Sequence, residues 1–188
     1  MNGNRFRTPA LLTALTLALL GLAAPAQAGP ARCTTPWGSQ PQVRDTAPYT
    51  GAYVQDVRSG RHDCFDRLVV DIGGAGAFDS YSVRYVDRVV GSSGIPTPVR
   101  GGADIEVVVG ASALSGDDVA YLPADRAEVV DVSGYRTFRQ VAWVESFEGS
   151  TVLALGTRAR LPVRAFVLAP PVGSGQDPRL VVDVAHRW

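Results

Sequence analysis

One six-residue stretch, Arg67-Leu68-Val69-Val70-Asp71-Ile72, returns almost unchanged near the C-terminus as Arg179-Leu180-Val181-Val182-Asp183-Val184. The two copies differ only at their last residue. Each copy is a short β-branched run with a polar residue at either end, a pattern typical of a strand that crosses a core. The repeat therefore predicts two related strands within one β-rich domain.

Each copy also has a neighbouring segment that carries Val-Arg and then an aromatic residue. Tyr81-Ser82-Val83-Arg84-Tyr85-Val86 follows the first copy, and Leu161-Pro162-Val163-Arg164-Ala165-Phe166 precedes the second. Two similar strand pairs near the two ends of the chain predict two related half-sheets that face each other across one core. The alternative is that segments rich in Val, Arg and Asp resemble one another by composition alone.

The rest of the chain contains short strand patterns separated by glycine and proline loops. The clearest alternation lies in residues 103–110, where apolar and acidic side chains take turns. Residues 111–136 are harder to interpret; a strand over 128–132 and a short helix over 124–127 are the predictions there. No stretch has the 3.6-residue apolar spacing of a substantial helix. We therefore predict an all-β fold, a sandwich of two similar sheets with a pseudo-two-fold internal repeat and little helix.

The N-terminus has the features of a secretion signal. Two arginines lie within the first seven residues, residues 10–24 are mostly apolar, and Ala26-Gln27-Ala28 is a small-residue cleavage site. The apolar run is too short for a membrane-spanning helix. We expect residues 1–28 to be removed and the mature chain to be secreted, extracellular or cell-wall associated, with no membrane span.

The two cysteines, Cys33 and Cys64, predict a disulfide, since an even pair in an exported protein is usually oxidised. This bond would tie residues 29–51, an irregular arm rich in proline and glycine, to the start of the first repeat. Trp37 in this arm is expected to cover the core edge near the disulfide, with ligand stacking as the less favoured role. Residues 52–188 are expected to form the β-sandwich domain.

The charge balance gives no reason to expect nucleic acid or an anionic membrane as a partner. Without the two signal arginines the chain has 16 basic and 18 acidic residues, a net charge of −2. All of the basic residues are arginine. High-GC coding bias explains the absence of lysine most simply.

The residues that usually perform catalysis are scarce. The only histidines are His62 and His186. Zinc needs three or four ligands, and a metal at His62 could recruit only Asp63 and Asp66 if Cys64 is oxidised. There is no Gly-x-Ser-x-Gly turn to present a nucleophile. We therefore expect no enzymatic activity, no metal and no cofactor.

Several short motifs follow one another along the chain and together resemble a known family. They are Trp37-Gly38-Ser39, Gly60-Arg61-His62-Asp63, Phe65-Asp66-Arg67, Tyr81-x-Val83-Arg84-Tyr85-Val86, Phe147-Glu148-Gly149, Leu153-Ala154-Leu155-Gly156, Val163-Arg164-x-Phe166 and Pro178-Arg179-Leu180-Val181-Val182-Asp183. Their order and number resemble the AMIN-like domain, common in exported actinobacterial proteins. The resemblance covers roughly residues 50–188.

The AMIN-like family is named for its similarity to the AMIN domain of periplasmic N-acetylmuramoyl-alanine amidases and pilus secretins. That domain is a sandwich of two symmetry-related sheets, and its role is to target the host protein to the cell wall. The resemblance therefore implies a non-catalytic, exported cell-envelope module. Its expected partner is peptidoglycan, another cell-wall glycopeptide or another envelope protein.

Peptidoglycan presents stem-peptide carboxylates, which suit the bidentate guanidinium group, and sugar faces, which suit aromatic rings. Polar residues concentrate where the first repeat begins, and Arg84 and Tyr85 lie on the strand expected beside it. The predicted ligand-binding residues, at one end of a sheet, are Arg61, His62, Asp63, Asp66, Arg67, Arg84 and Tyr85. The alternative is structural, with Asp66 and Arg67 pairing across strands with Arg84 or Asp87.

A second hypothesis belongs to a different functional class. In it the chain is a secreted protein-interaction or inhibitor-like β-sandwich that contacts another exported protein through loops 91–102 and 111–136. Tyr121, Tyr135 and Trp143 are interpreted as core or edge packing, with a ligand platform as the less favoured role.

Overall fold

A computed structural model describes residues 33–45, 51–74, 78, 80–171 and 173–188. The predicted signal peptide lies outside the described residues. Within them the chain forms thirteen strands and no helix. In chain order the strands are β1 (Gln42–Arg44), β2 (Tyr53–Arg61), β3 (Phe65–Gly73), β4 (Tyr81–Val86), β5 (Val89–Val90), β6 (Pro96–Thr97), β7 (Ala103–Val109), β8 (Leu114–Ser115), β9 (Asp118–Val119), β10 (Phe138–Phe147), β11 (Ser150–Thr157), β12 (Val163–Leu168) and β13 (Arg179–Ala185).

The strands form two main antiparallel sheets that enclose one core. Sheet A has the order β1-β4-β7-β11-β10, and sheet B has the order β12-β13-β3-β2. The core contains side chains from both sheets. The strand pairs β5–β6 and β8–β9 form two small additional sheets. The predicted all-β sandwich is therefore confirmed.

Period-two alternation decides which side chains enter the core. In the pair β4–β7 the side chains of Val83, Ile105 and Val107 are fully buried between the sheets. Arg84 and Glu106, which lie between them in sequence and opposite each other in register, point away from the core. Each sheet thus has an apolar inner face and an outer face where charged side chains can meet.

The two copies of the repeated stretch lie side by side in sheet B. They form the antiparallel pair β3–β13, with Val69 opposite Val181 at its centre. The prediction that the copies belong to half-sheets facing each other across the core is therefore wrong. Both strands are central, and Val69 and Val181 are buried on the outer face just as their neighbours are on the inner face. The apolar centres of the two copies, residues 68–70 and 180–182, are alike because both faces are buried there.

The pseudo-two-fold repeat is present, but it relates other strands. From its opposite edge, sheet B has the strand order β2-β3-β13-β12. Sheet A, from its opposite edge and without the arm strand β1, has the order β10-β11-β7-β4. The counterparts are therefore β2 and β10, β3 and β11, β4 and β12, and β7 and β13. The segments with the shared Val-Arg, β4 and β12, are equivalent, whereas the counterpart of β3 is β11. Each half of the chain contributes one strand pair to each sheet.

The predicted disulfide is confirmed and holds the N-terminal arm to sheet B. Cys33 and Cys64 are bonded, with their Cα atoms 5.2 Å apart. The arm is not irregular throughout, however, because Gln42–Arg44 pairs with β4 at the edge of sheet A. An edge strand that is exposed along most of its length needs only backbone hydrogen bonds, so no apolar alternation marks it in the sequence.

The segment 111–136 contains neither of the predicted elements at 124–127 and 128–132. It runs beside the edge strand β10, where the Val129 amide donates to the Val141 carbonyl at 2.8 Å. A loop that covers an edge strand satisfies that strand's free backbone groups without being a strand itself.

Candidate functional site: an arginine–aromatic cluster on sheet B

The outer face of sheet B carries arginine and aromatic side chains in close contact. Strand β3 contributes Phe65 and Arg67, and β12 contributes Arg164 and Phe166; residues two apart in a strand share a face. The arm places Trp37 against them. The arginine–aromatic cluster is defined by Trp37, Phe65, Arg67, Arg164, Phe166 and Asp183.

Asp183 is the electrostatic centre of the cluster, since its fully buried carboxylate receives two guanidinium groups. Nε and Nη2 of Arg67 donate to its two oxygens at 2.6 and 2.9 Å. Nε and Nη2 of Arg164 both approach Oδ2, at 2.8 and 2.7 Å. Hydrogen bonding to Asp183 raises the pKa of the Arg67 guanidinium, and partial burial opposes that rise. The arginines therefore remain charged and compensate the buried carboxylate.

Aromatic rings surround the two guanidinium groups. The Arg164 Cζ atom lies 4.1 Å from the centre of the Trp37 ring and 5.2 Å from that of Phe166. The Arg67 Cζ atom lies 5.1 Å from the Phe65 ring, and Trp37 meets Phe65 edge-on at 5.7 Å. These distances are in the cation–π range, so the rings help to hold both guanidinium groups in place.

The cluster retains one unit of positive charge, because two guanidinium groups share a single carboxylate. Among the described residues, Asp183 is the only hydrogen-bond partner of Arg67 and Arg164, and it leaves Nη1 of each without an acceptor. The side chains are 26% and 38% exposed, so these N–H groups can be reached from solvent. Chemically, the arrangement can bind an anion between aromatic walls.

Of the seven predicted site residues, Arg67 belongs to this cluster and His62 adjoins it through the Phe65 ring. The His62 ring stacks on Phe65 with centroids 4.4 Å apart, and Arg67 lies against Phe65 as well. His62 is exposed, and so is the side chain of the following residue, Asp63. The Asp63 carbonyl oxygen lies 3.1 Å from Nδ1 of His186. The loop before β3 thus extends the cluster towards the end of the sheet.

Asp66 points the opposite way, into the protein. Its carboxylate is fully buried and accepts hydrogen bonds from the backbone amides of Thr137 and Phe138, at 2.5 and 3.0 Å. Its other oxygen lies 3.0 Å from Nε2 of His186. Asp66 therefore joins the start of β10 to the C-terminal segment, and it does not reach the outer face.

Tyr85 also faces inward, on sheet A. Its hydroxyl group donates to the Leu161 carbonyl and accepts from the Leu161 amide, each at 2.9 Å. Burial raises the pKa of the Tyr85 phenol. The ring is covered by Arg160, whose Cζ atom lies 5.0 Å from its centre. Tyr85 thus positions the segment that leads into β12.

Arg84 and Arg61 lie apart from the cluster. Arg84 is on the outer face of sheet A, where its Nη2 lies 2.6 Å from Glu106. Arg61 ends β2, and its Cζ atom lies 6.0 Å from the Tyr135 ring. The predicted residues therefore do not form one group, and the cross-strand partner expected for Arg67 is replaced by Asp183.

Sequence reasoning missed Arg164, Phe166 and Asp183 as site residues and gave Trp37 mainly a packing role. The available signal was the spacing of two in Phe65-x-Arg67 and in Arg164-x-Phe166, which places both pairs on strand faces. What the sequence does not state is the register that sets Asp183 opposite both arginines.

The two histidines have separate surroundings, His62 on Phe65 and His186 between Asp63 and Asp66. Within the residues that the structure describes, no three side chains of His, Cys, Asp or Glu converge in a way that could hold a metal ion. In that same part of the chain there is no helix with the length and apolar character needed to cross a bilayer.

Comparison with known proteins identifies the family. A family profile described as AMIN-like domain matches residues 52–186, well over half of the chain. Searches of curated proteins and of solved structures find no significant match. The matched range holds the whole cluster except Trp37, and a disulfide together with this domain fits an extracellular or envelope protein. The chain therefore belongs to the AMIN-like domain family and is a cell-envelope-related module.

Proposed function

We propose that this protein is a non-catalytic module that binds peptidoglycan through the arginine–aromatic cluster. The observation that carries the proposal is the shared carboxylate: Asp183 neutralises only one of the two charges on Arg67 and Arg164. A second carboxylate, supplied by a peptidoglycan stem peptide, would complete the balance. Charge-assisted hydrogen bonds to a guanidinium are among the stronger ones available at a protein surface.

The aromatic residues support a glycopeptide in preference to a simple anion. Trp37, Phe65 and Phe166 are each partly exposed beside the guanidinium groups. Partly exposed rings offer apolar faces and edges on which the C–H face of a sugar can pack. A ligand that has both sugars and carboxylates would therefore contact both kinds of side chain at once.

The same geometry argues against proton transfer at this site. Both oxygens of Asp183 already accept hydrogen bonds from arginine, and a guanidinium does not give up its proton in a protein. A general acid or base needs a group that can exchange a proton with the substrate. The cluster is thus equipped to hold a ligand without transforming it.

Co-sedimentation with purified peptidoglycan tests the proposal. The substitution Arg67→Ala leaves Asp183 paired with Arg164 and removes the surplus charge, so we expect binding to weaken by about tenfold, a loss of one charge-assisted contact. Peptidoglycan whose carboxylates have been converted to amides should bind as weakly to the unaltered protein.

Arg84→Ala is the matched control, because Arg84 is also an outward strand arginine in an ion pair, on the other sheet. This variant should sediment like the unaltered protein. Circular dichroism and urea unfolding would show that both variants are folded. Equal sedimentation of the two variants, or no sedimentation of the unaltered protein, contradicts the proposal.

A further inference from the structure

A second feature lies away from the cluster, at the end of the sandwich where β10 turns into β11. Here an open cleft of about 430 Å³ lies between the β8–β9 hairpin, the following loop and the β10–β11 turn. Tyr121 and Trp143 form an aromatic pair in its lining, with ring centres 5.6 Å apart. The peptidoglycan site makes no use of these residues.

The rim of the cleft is unusually apolar for a surface. Four of the nine large apolar side chains exposed in the described part of the chain line it: Leu114 (47%), Val119 (65%), Leu122 (60%) and Phe147 (55%). Single exposed apolar residues are ordinary, but several around one concavity mark an interaction site.

The backbone holds this rim in place. The β10–β11 turn has Glu148 at φ 48° and Gly149 at φ 80°. A non-glycine residue in the left-handed region costs about 1 kcal/mol and persists where the surroundings require it. This turn places Phe147 at the cleft. On the opposite wall, the Ala113 carbonyl accepts from the amides at Ala120 and Tyr121, at 2.9 and 3.2 Å.

The charges around the cleft are mostly negative. The loop and turn that form it, residues 112–126 and 146–149, contain four acidic residues and one basic residue, Arg126. Asp56 on β2 is a fifth carboxylate nearby, and its charge adds to burial in raising the pKa of the Tyr121 phenol. All of these acidic side chains are exposed: Asp56, Asp117, Asp118, Asp125 and Glu148.

We infer that this cleft binds an extended segment of another exported protein, one with apolar side chains flanked by lysine or arginine. The apolar rim supplies the contact area, and the carboxylates select a basic flank through charge complementarity. The same carboxylates oppose an anionic lipid surface. The inference does not depend on peptidoglycan binding, because the two sites share no residue.

Synthetic twelve-residue peptides with a central Phe-x-Leu test this inference by fluorescence anisotropy. One peptide has arginine flanks, one serine flanks and one aspartate flanks. The arginine peptide should bind about tenfold more tightly than the serine peptide and weaken as salt is added, and the aspartate peptide should bind least. Binding that ignores the flanking charge would overturn the inference.

Phe147→Ser should weaken binding of the arginine peptide by about tenfold or more, since it removes an apolar contact without adding a charge. Val43→Ser is the matched control: Val43 is 61% exposed on β1, at the opposite edge of the same sheet. It should leave binding unchanged. Equal effects of the two substitutions contradict the assignment of the cleft.

Two further measurements keep the outcomes distinct. Arg67→Ala should bind the arginine peptide normally, and Phe147→Ser should still sediment with peptidoglycan, so each site can fail alone. Gel filtration shows whether the protein associates with itself. Self-association abolished by Phe147→Ser would make a second copy the occupant and would overturn the peptide assignment.

Discussion

The outer faces of the two sheets are equivalent in topology but differ in what covers them. Arg84 and Glu106 on sheet A face each other in the same way as Arg164 and Asp183 on sheet B. On sheet B a second arginine, Arg67, lies opposite the carboxylate from the other side. On sheet A, among the described residues, Glu106 has one arginine partner, so this ion pair carries no surplus charge.

The residue of sheet A that corresponds to Arg67 is Ala154, opposite Glu106. It is fully buried, and it packs with Ala142 against Val89 of the β5 strand. The chain between β4 and β7 thus covers much of the outer face of sheet A with apolar contacts. In the part of the chain that the structure describes, the outer face of sheet B is covered by the arm and by its own side chains. The same framework thus gives one outer face that the chain itself closes with apolar contacts and one whose arginine side chains stay partly exposed.

The largest difference between the two faces should appear when each carboxylate is neutralised. Asp183→Asn leaves two guanidinium groups without their shared counter-charge. We expect it to lower the free energy of unfolding by about 3 kcal/mol, the lower end for a broken buried ion pair, because both arginines keep contact with water. Glu106→Gln should cost about 1 kcal/mol, since Arg84 is 52% exposed.

Urea unfolding monitored by circular dichroism measures both losses. Equal losses for the two substitutions would contradict the proposed difference between the faces. They would mean that the second arginine, Arg67, does not make Asp183 more important for stability than Glu106. The variant pair Asp183→Asn with Arg67→Ala should recover part of the loss, since it removes one unpaired charge.

A smaller effect should distinguish the two faces through Trp37, whose ring contacts among the described residues, Phe65 and Arg164, both lie on sheet B. A double-mutant cycle of Trp37→Ala with Arg164→Ala should give a coupling energy of about 0.5–1 kcal/mol, the range for a partly exposed cation–π pair. The matched cycle with Arg84→Ala should give none. A coupling energy of zero in the first cycle would show that the 4.1 Å contact does not stabilise the fold.

The contrast between inner and outer faces explains which parts of the molecule the sequence could reveal. Spacing of two places Asp66 on the inner face with Leu68 and Val70, so its position in the strand indicates burial. The same reasoning assigns Tyr85 to the inner face with Val83. The polar side chain of Asp66 and the aromatic side chain of Tyr85 suggest a ligand site. Their spacing of two from buried apolar residues indicates instead that both point into the core.

Other features depend on contacts that local sequence does not encode. Arg67 and Asp183 are 116 residues apart, and their pairing follows from the register of β3 and β13. The repeated stretch correctly predicts two strands, β3 and β13. Their similar sequences do not show that the two strands are neighbours in one sheet. The cover over sheet A depends on Val89, which lies in a two-residue strand with no periodic pattern.

The smallest predicted effect concerns Asp104, an outward residue of β7 whose counterpart on β13 is the buried Val181. Burial raises the pKa of the Asp104 carboxyl from its ordinary 3.8, so the folded state holds this proton more tightly than the unfolded state. The stability that Asp104 confers is therefore present below pH 3.8 and is lost as the pH rises through the folded-state pKa. Asp104→Asn should stabilise the protein at pH 7 by less than about 1 kcal/mol, because the charge is only partly buried and solvent screens it, and the gain should vanish at about pH 3. Urea unfolding of both proteins at each pH measures this difference. A gain that grows as the pH falls would mean that the ionised carboxylate is stabilised on this face, and sheet A would then be more polar beneath its cover than its apolar contacts indicate.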